Sequence, residues 1–221
     1  MFIFSGFKKI IQSDLKLIMI KTIIFDFGDV FINLDKEGAM TNALELFEMD
    51  ELSEDLIAIN ALYEQGLLST DEFIDFYREN FPKLSKQEII EAWNFIICDF
   101  PPKRLAFIEQ LAKDEKYNLI LLSNTNELHI DCIKEHISFY DDFKAAFNKF
   151  YLSHEIMLRK PNADIFEFVL KENKLKAEDC LFIDDTLENT EAAAKLGINV
   201  WNNDPKEEDI VDLFTIKSDL F

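Results

Sequence analysis

Cysteine is scarce in this chain: Cys98, Cys132 and Cys180 stand far apart, with no CxxC pair among them. An odd, scattered set offers neither a disulfide framework nor a thiolate metal site, so a reducing, cytoplasmic setting is expected. Histidine is equally rare. His129, His136 and His154 lack the spacing of a metal-binding set and read as core or surface residues. Cations are also short, with 23 Lys and Arg against 43 Asp and Glu and a net charge of −20. Nucleic acid and anionic membranes repel such a polyanion, so neither is expected as a partner, and any phosphate it handles needs a local cation. No apolar run is long enough to span a bilayer.

The first twenty residues, MFIFSGFKKIIQSDLKLIMI, look only superficially like a targeting segment. Their lysines follow the first apolar patch instead of preceding it, Asp14 interrupts the second, and no small-residue cleavage site appears. Met19 is the expected natural start, with residues 1–18 an N-terminal extension.

What the chain does have is 221 residues, 48% of them hydrophobic, enough for one substantial core and a small second domain. Four short apolar runs read as buried strands: residues 22–27, NLILLS (118–123), FNKFYLS (147–153) and CLFIDD (180–185). Helical patterns lie between them at 102–116, 163–174 and 189–197, the last stopping at Gly197. Strands alternating with helices predict an α/β fold, a three-layer Rossmann-like parallel sheet.

The interval from Val30 to Phe100 breaks this alternation with amphipathic helical patterns such as EDLIAINALYEQ and TDEFIDFYRENF. It is also the acidic part of the chain: from Asp35 to Glu79, thirteen Asp and Glu face only Lys36 and Arg78. This predicts an inserted helical cap at 33–100, with the core formed by 19–32 and 101–221. Trp93, Tyr63 and Phe76 within it read first as core packing, and its acidic face as solvated surface.

In a parallel sheet, ligands bind at the carboxyl ends of the strands. Here those ends carry Asp26 and Asp29, Ser123 and Asn124, Lys160, and Asp184 and Asp185. Crowded carboxylates resist joint ionisation, so the cluster calls for a cation, and hard oxygen ligands suit Mg²⁺. Taken singly, each residue has a plainer reading. Asp26 is then a turn residue, Ser123 an N-cap, Lys160 a solvated lysine and Asp184–Asp185 a helix-start pair.

In order along the chain, FDFGDV, LLSNTN, RKP and FIDDTLEN resemble the four signatures of the haloacid dehalogenase superfamily of phosphohydrolases. The resemblance runs from Lys21 to about Asn202. LSNTNELH, YLSHEIMLRKP and FIDDTLENTEAAAKLGI are similar to the subgroup containing α-D-glucose-1-phosphate phosphatases. It implies that Asp26 attacks phosphorus to form an aspartyl-phosphate, while Asp26, the Gly28 carbonyl and Asp185, with Asp184 beside it, hold Mg²⁺. Lys160 would supply positive charge, and Ser123, Asn124 and the backbone amides of Phe27 and Gly28 would bind the phosphoryl oxygens.

The implied partner is a small phosphorylated metabolite, most plausibly a sugar phosphate such as glucose 1-phosphate. One position departs from the family pattern: Gly28 stands where most of its phosphatases carry a second Asp that acts as general acid and base. A metal-independent dehalogenase using Asp26, and a non-catalytic binder of a phosphometabolite or partner protein, stay open beside the phosphatase.

Overall fold

The structure is a computed structural model and describes residues 20–221. The expectations for residues 1–18 and for a start at Met19 therefore lie outside the described residues.

Five parallel strands form one sheet: β1 (Thr22–Phe25), β2 (Asn118–Ser123), β3 (Lys149–Leu152), β4 (Cys180–Asp184) and β5 (Asn199–Asn202). Their order is β3-β2-β1-β4-β5, which places β1 at the centre. The helices in chain order are α1 (Lys36–Phe47), α2 (Glu54–Glu64), α3 (Thr70–Asn80), α4 (Lys86–Asn94), α5 (Pro102–Lys113) and α6 (Glu127–His136). There follow α7 (Tyr140–Ala145), α8 (Ser153–Ile156), α9 (Ala163–Glu172), α10 (Leu187–Lys195) and α11 (Leu213–Ile216). Among the described residues no helix is long and apolar enough to cross a membrane.

The period-two geometry of a strand explains the three layers. Ile23 and Phe25 of β1, Leu119 and Leu121 of β2, and Leu181 and Ile183 of β4 face one cluster, completed by Ile108 of α5, Ile130 and Ile133 of α6 and Phe143 of α7. The alternate residues Ile24, Ile120, Leu122 and Phe182 face the other, against Ile165, Phe166 and Val169 of α9 and Ala193 of α10. Both faces of each central strand are covered, which is why the strands read as unbroken apolar runs.

Four of the five strands are those expected, each within two residues at its ends. The fifth, NVWN, has only two apolar residues between asparagines and lies at the sheet edge, so its sequence carries no buried run.

Helices α1–α4 form the insertion between β1 and α5, as expected. Their starts are written in the sequence: Ser53, Ser69 and Ser85 each cap a helix, and Glu72 and Glu88 complete reciprocal capping boxes with the last two. The insertion has its own apolar cluster, including Phe47, Leu56, Tyr63, Phe73, Ile74, Tyr77 and Ile89. Its entry and exit run side by side, with Asn33 N donating to Asp99 O, Cys98 N to Asn33 O and Asp35 N to Ile96 O. We propose this crossing as the boundary between core and cap, close to the 32/33 and 100/101 junctions expected from sequence.

A second attachment lies at the α2–α3 turn. Gly66 adopts φ +71° there, and a Cβ at this position would sit 2.1 Å from the His154 carbonyl oxygen. Glu64 Oε2 accepts from Arg159 Nε at 2.8 Å, and Gln65 Nε2 donates to Met157 O at 3.1 Å. Gly66→Ala combines a disfavoured backbone with a backbone clash, so it should cost about 2–4 kcal/mol. Denaturant unfolding of wild type and variant checks this.

Candidate active site

Parallel register sets the site. Phe25 pairs with Ile183, so the next residues, Asp26 and Asp184, emerge side by side at the carboxyl ends of β1 and β4. Ser123 closes β2 on the other side of β1, and Asp185 follows Asp184. Ligand oxygens from Asp26, Asp184 and Asp185 lie within 4.8 Å of one another. Of the sequence-predicted carboxylates, these three converge.

Lys160 is wholly buried at the centre of this group. Its Nζ donates to Asp184 Oδ2 at 2.6 Å and stands 2.9 Å from Asp26 Oδ1. The second approach is a short, buried ion pair, so one ammonium serves both aspartates. Asp184 is better served. Oδ1 accepts from Thr186 N at 2.8 Å and from Asn189 Nδ2 at 3.0 Å, and Oδ2 takes Asn189 Nδ2 as well as Lys160.

Electrostatics follow from burial. Desolvation pushes the Asp26 carboxyl up to about 7; Lys160 opposes the rise, and Asp184 and Asp185 add to it. Burial alone would pull the Lys160 ammonium down, but Asp184 and Asp26 outweigh it and hold it above the ordinary lysine range. Burial also raises Asp185, against the pull of Lys36. Three acids whose ligand oxygens converge on one point form a donor set that fits a hard divalent cation, with Asp26 and Asp185 as the freer ligands.

The other predicted residues divide. Ser123 is buried at the rim, its hydroxyl making one long contact, 3.4 Å, to Asn124 O. Asn124 does not offer its carboxamide to the rim. Its Nδ2 donates to Lys160 O and its Oδ1 accepts from Lys160 N, both at 2.9 Å, so it grips the lysine main chain. The Phe27 ring is buried and stacked on Phe143 with centroids 5.1 Å apart, leaving only its backbone near the rim. Among the described residues neither the Phe27 nor the Gly28 amide has a protein acceptor, as a phosphate cradle requires.

Asp29 takes φ +53° and turns back. Its Oδ1 accepts from Leu34 N at 3.0 Å and its Oδ2 pairs with Lys36 at 2.8 Å, so it occupies the loop and does not stand in for a carboxylate at position 28.

Three contributors were not singled out from sequence. Lys36 opens α1 and reaches from the cap to Asp185 Oδ2 at 2.6 Å as well as to Asp29. Its signal was its solitude, since it is one of two cations in the acidic block. Asn189 and the Thr186 amide, in the first turn of α10 and just before it, hold Asp184; polar residues at a helix start look like capping and hide that task. Two of the histidines sit near the rim without joining it. His129 stacks on Trp93, its Nε2 3.0 Å from Trp93 O, and burial pushes it down to about 4, so it stays neutral.

The description that matches residues 20–197 is that of a haloacid dehalogenase-like hydrolase, and the chain belongs to this family. Among its relatives is a D-ribitol-5-phosphate phosphatase from Bacteroides thetaiotaomicron, 30% identical over 190 residues that cover 83% of this chain and 91% of the relative. A HAD family enzyme from the same organism, solved as a magnesium complex, is 34% identical with a TM-score of 0.78, covering 88% of this chain and 98% of that one. That enzyme has also been solved with magnesium and inorganic phosphate together, at 33% identity and a TM-score of 0.74, covering 88% and 99% of the two chains. A HAD-like hydrolase from Porphyromonas gingivalis gives 28% identity and a TM-score of 0.77 over 90% and 97%.

The raised carboxyl of Asp26 has a consequence for stability. Without metal, between its ordinary value of about 4 and about 7, the folded state keeps a proton the unfolded chain has released, so stability falls as pH rises through that window. The metal-free protein should therefore lose more Tm between pH 4.5 and 7 than Asp26→Asn does, and Mg²⁺ should restore it at pH 7. Paired thermal melts with and without chelator measure this.

Proposed function

We propose that this hydrolase is a Mg²⁺-dependent phosphatase that cleaves a small phosphorylated metabolite through an aspartyl-phosphate on Asp26. The observation that carries the reading is Asp26 at the strand rim, ion-paired with buried Lys160 and clustered with Asp184 and Asp185. The phosphatase relative and the magnesium and phosphate complexes of the related enzyme support it.

In this reading the free oxygen of Asp26 attacks phosphorus while the bond to the alcohol oxygen breaks, and water then hydrolyses the acyl phosphate to regenerate the carboxylate. Lys160 spreads positive charge over the phosphoryl oxygens and favours the ionised form of Asp26 against the desolvation that raises it. The Ser123 hydroxyl and the Phe27 and Gly28 amides bind the remaining oxygens. Asn124 acts through Lys160, fixing its main chain. Asp26, the Gly28 carbonyl and Asp185, with Asp184 beside them, would hold Mg²⁺, which would supply the charge neutralisation that lets an anion approach a phosphate.

A phosphorylated sugar or sugar alcohol is the substrate class we assign. D-ribitol 5-phosphate, the ester that names the relative, is the first compound to test. Glucose 1-phosphate is the second. Gly28 favours it, because a site without a carboxyl at that position is poorly equipped to protonate an alcohol, and an anomeric oxygen is the better leaving group.

Asp26→Asn should lose about 10⁴-fold or more in kcat while keeping its circular dichroism spectrum, as nucleophile removal does elsewhere. Phosphate release from a panel of sugar phosphates, with and without EDTA, provides the assay. Substantial turnover by the variant would end the covalent mechanism. Gly28→Asp should raise kcat/KM on ribitol 5-phosphate relative to glucose 1-phosphate. The new Cβ would lie 2.7 Å from Leu34 Cδ1, the tip of a flexible side chain that can yield. An unchanged ratio would remove the missing acid from the account of specificity.

A further inference from the structure

A cavity of about 350 Å³ opens inside the helical cap. One wall is the face of α1 bearing Ala39, Ala43 and Phe47, residues a turn apart, and the facing wall is Ile89, Ala92 and Trp93 of α4. At one edge stands Lys36, whose ammonium is 2.6 Å from Asp185, so the cavity borders the catalytic rim.

The polar groups in its lining are few, and most have a protein partner. Tyr77 donates to Asn60 Oδ1 at 2.7 Å, Glu64 accepts from Arg159, and His129 is held by Trp93 O and by Asn126 Nδ2 at 3.1 Å. A chain of hydroxyls placed there would give up water for few partners, whereas an alkyl or aromatic body would meet matching walls. Helix α1 leaves room for such a guest: of its twelve residues only Phe47 is buried, and Met40 is 46% exposed.

We propose that this cavity receives the alcohol portion of a substrate and that the protein also hydrolyses phosphate monoesters of apolar alcohols, aliphatic or aromatic. The inference rests on the phosphatase reading above and extends its substrate class. The chemistry is unchanged. The Asp26–phosphorus bond forms as the ester bond breaks, the departing alkoxide takes a proton from water, and the resulting hydroxide attacks phosphorus, releasing inorganic phosphate and Asp26.

A series of n-alkyl monophosphates, ethyl through octyl, isolates the effect, because their leaving alcohols have nearly the same acidity. With the full chain and Mg²⁺, kcat/KM should climb at least about tenfold from ethyl to octyl, chiefly through KM; about fourfold per fully buried methylene is the ceiling. Ala43→Phe and Ala92→Leu, which fill the cavity from opposite walls, should each collapse the octyl-to-ethyl ratio towards one, whereas a general loss of folding would lower both substrates alike. A flat chain-length profile in an enzyme that turns over ethyl phosphate or ribitol 5-phosphate would overturn the cavity assignment and leave the phosphatase reading standing. Failure to hydrolyse any ester would overturn both.

Discussion

A lysine ammonium with no access to water sits between two aspartates, and much of the local architecture exists to keep it there. Lys160 is 1% exposed and Asp184 fully buried, so neither charge tolerates loss of its partner. Asn124 holds the lysine main chain from the end of β2, while Thr186 and Asn189 hold Asp184 from the start of α10. The preceding residue, Arg159, ties the same loop to Glu64 in the cap. Sheet, helix α10 and cap thus meet around one buried charge. The cost of assembling it is offset by rigid donors on every side, which is the preorganisation an electrostatic site needs.

The sheet contributes register. With β1 between β2 and β4, the acid at its end has a neighbour on both sides, and the crossover helices are confined to the two faces. Nothing in that arrangement depends on the particular substrate. The insertion stands apart from it: its helices pack on one another through their own cluster and reach the rim through Lys36.

How much of this was legible in the sequence varied with the kind of signal. Buried central strands announce themselves because both faces are apolar, and the cap helices because serines and glutamates mark their starts. The edge strand β5 gave no such run, α6 follows the rim too closely for its periodicity to stand out from the LLSNTN signature, and α7, six residues long, is too short to show a period. Asp26, Ser123, Lys160, Asp184 and Asp185 were placed at the rim by strand ends alone. The role of Asn124 was not visible, because an amide bonded to backbone leaves no pattern in side-chain types. Lys36 was equally hidden, since its partners Asp29 and Asp185 are 7 and 149 residues away and only folding joins them.

The antiparallel crossing at residues 33–35 and 96–98 bears on the history open to this chain. Because the two ends of the insertion are hydrogen-bonded to each other, the sheet sees them as the mouth of a closed loop. Whatever lies beyond that mouth can be lengthened or shortened without moving a strand, so long as the Glu64–Arg159 and Gly66–His154 contacts to the core are kept. Lys36 is the first helical residue past it, so the one cation that the insertion lends to the rim travels with the insertion. Exchange of this cassette would renew the cap cavity and that charge in a single step, while Asp26 and Lys160 stayed at the rim.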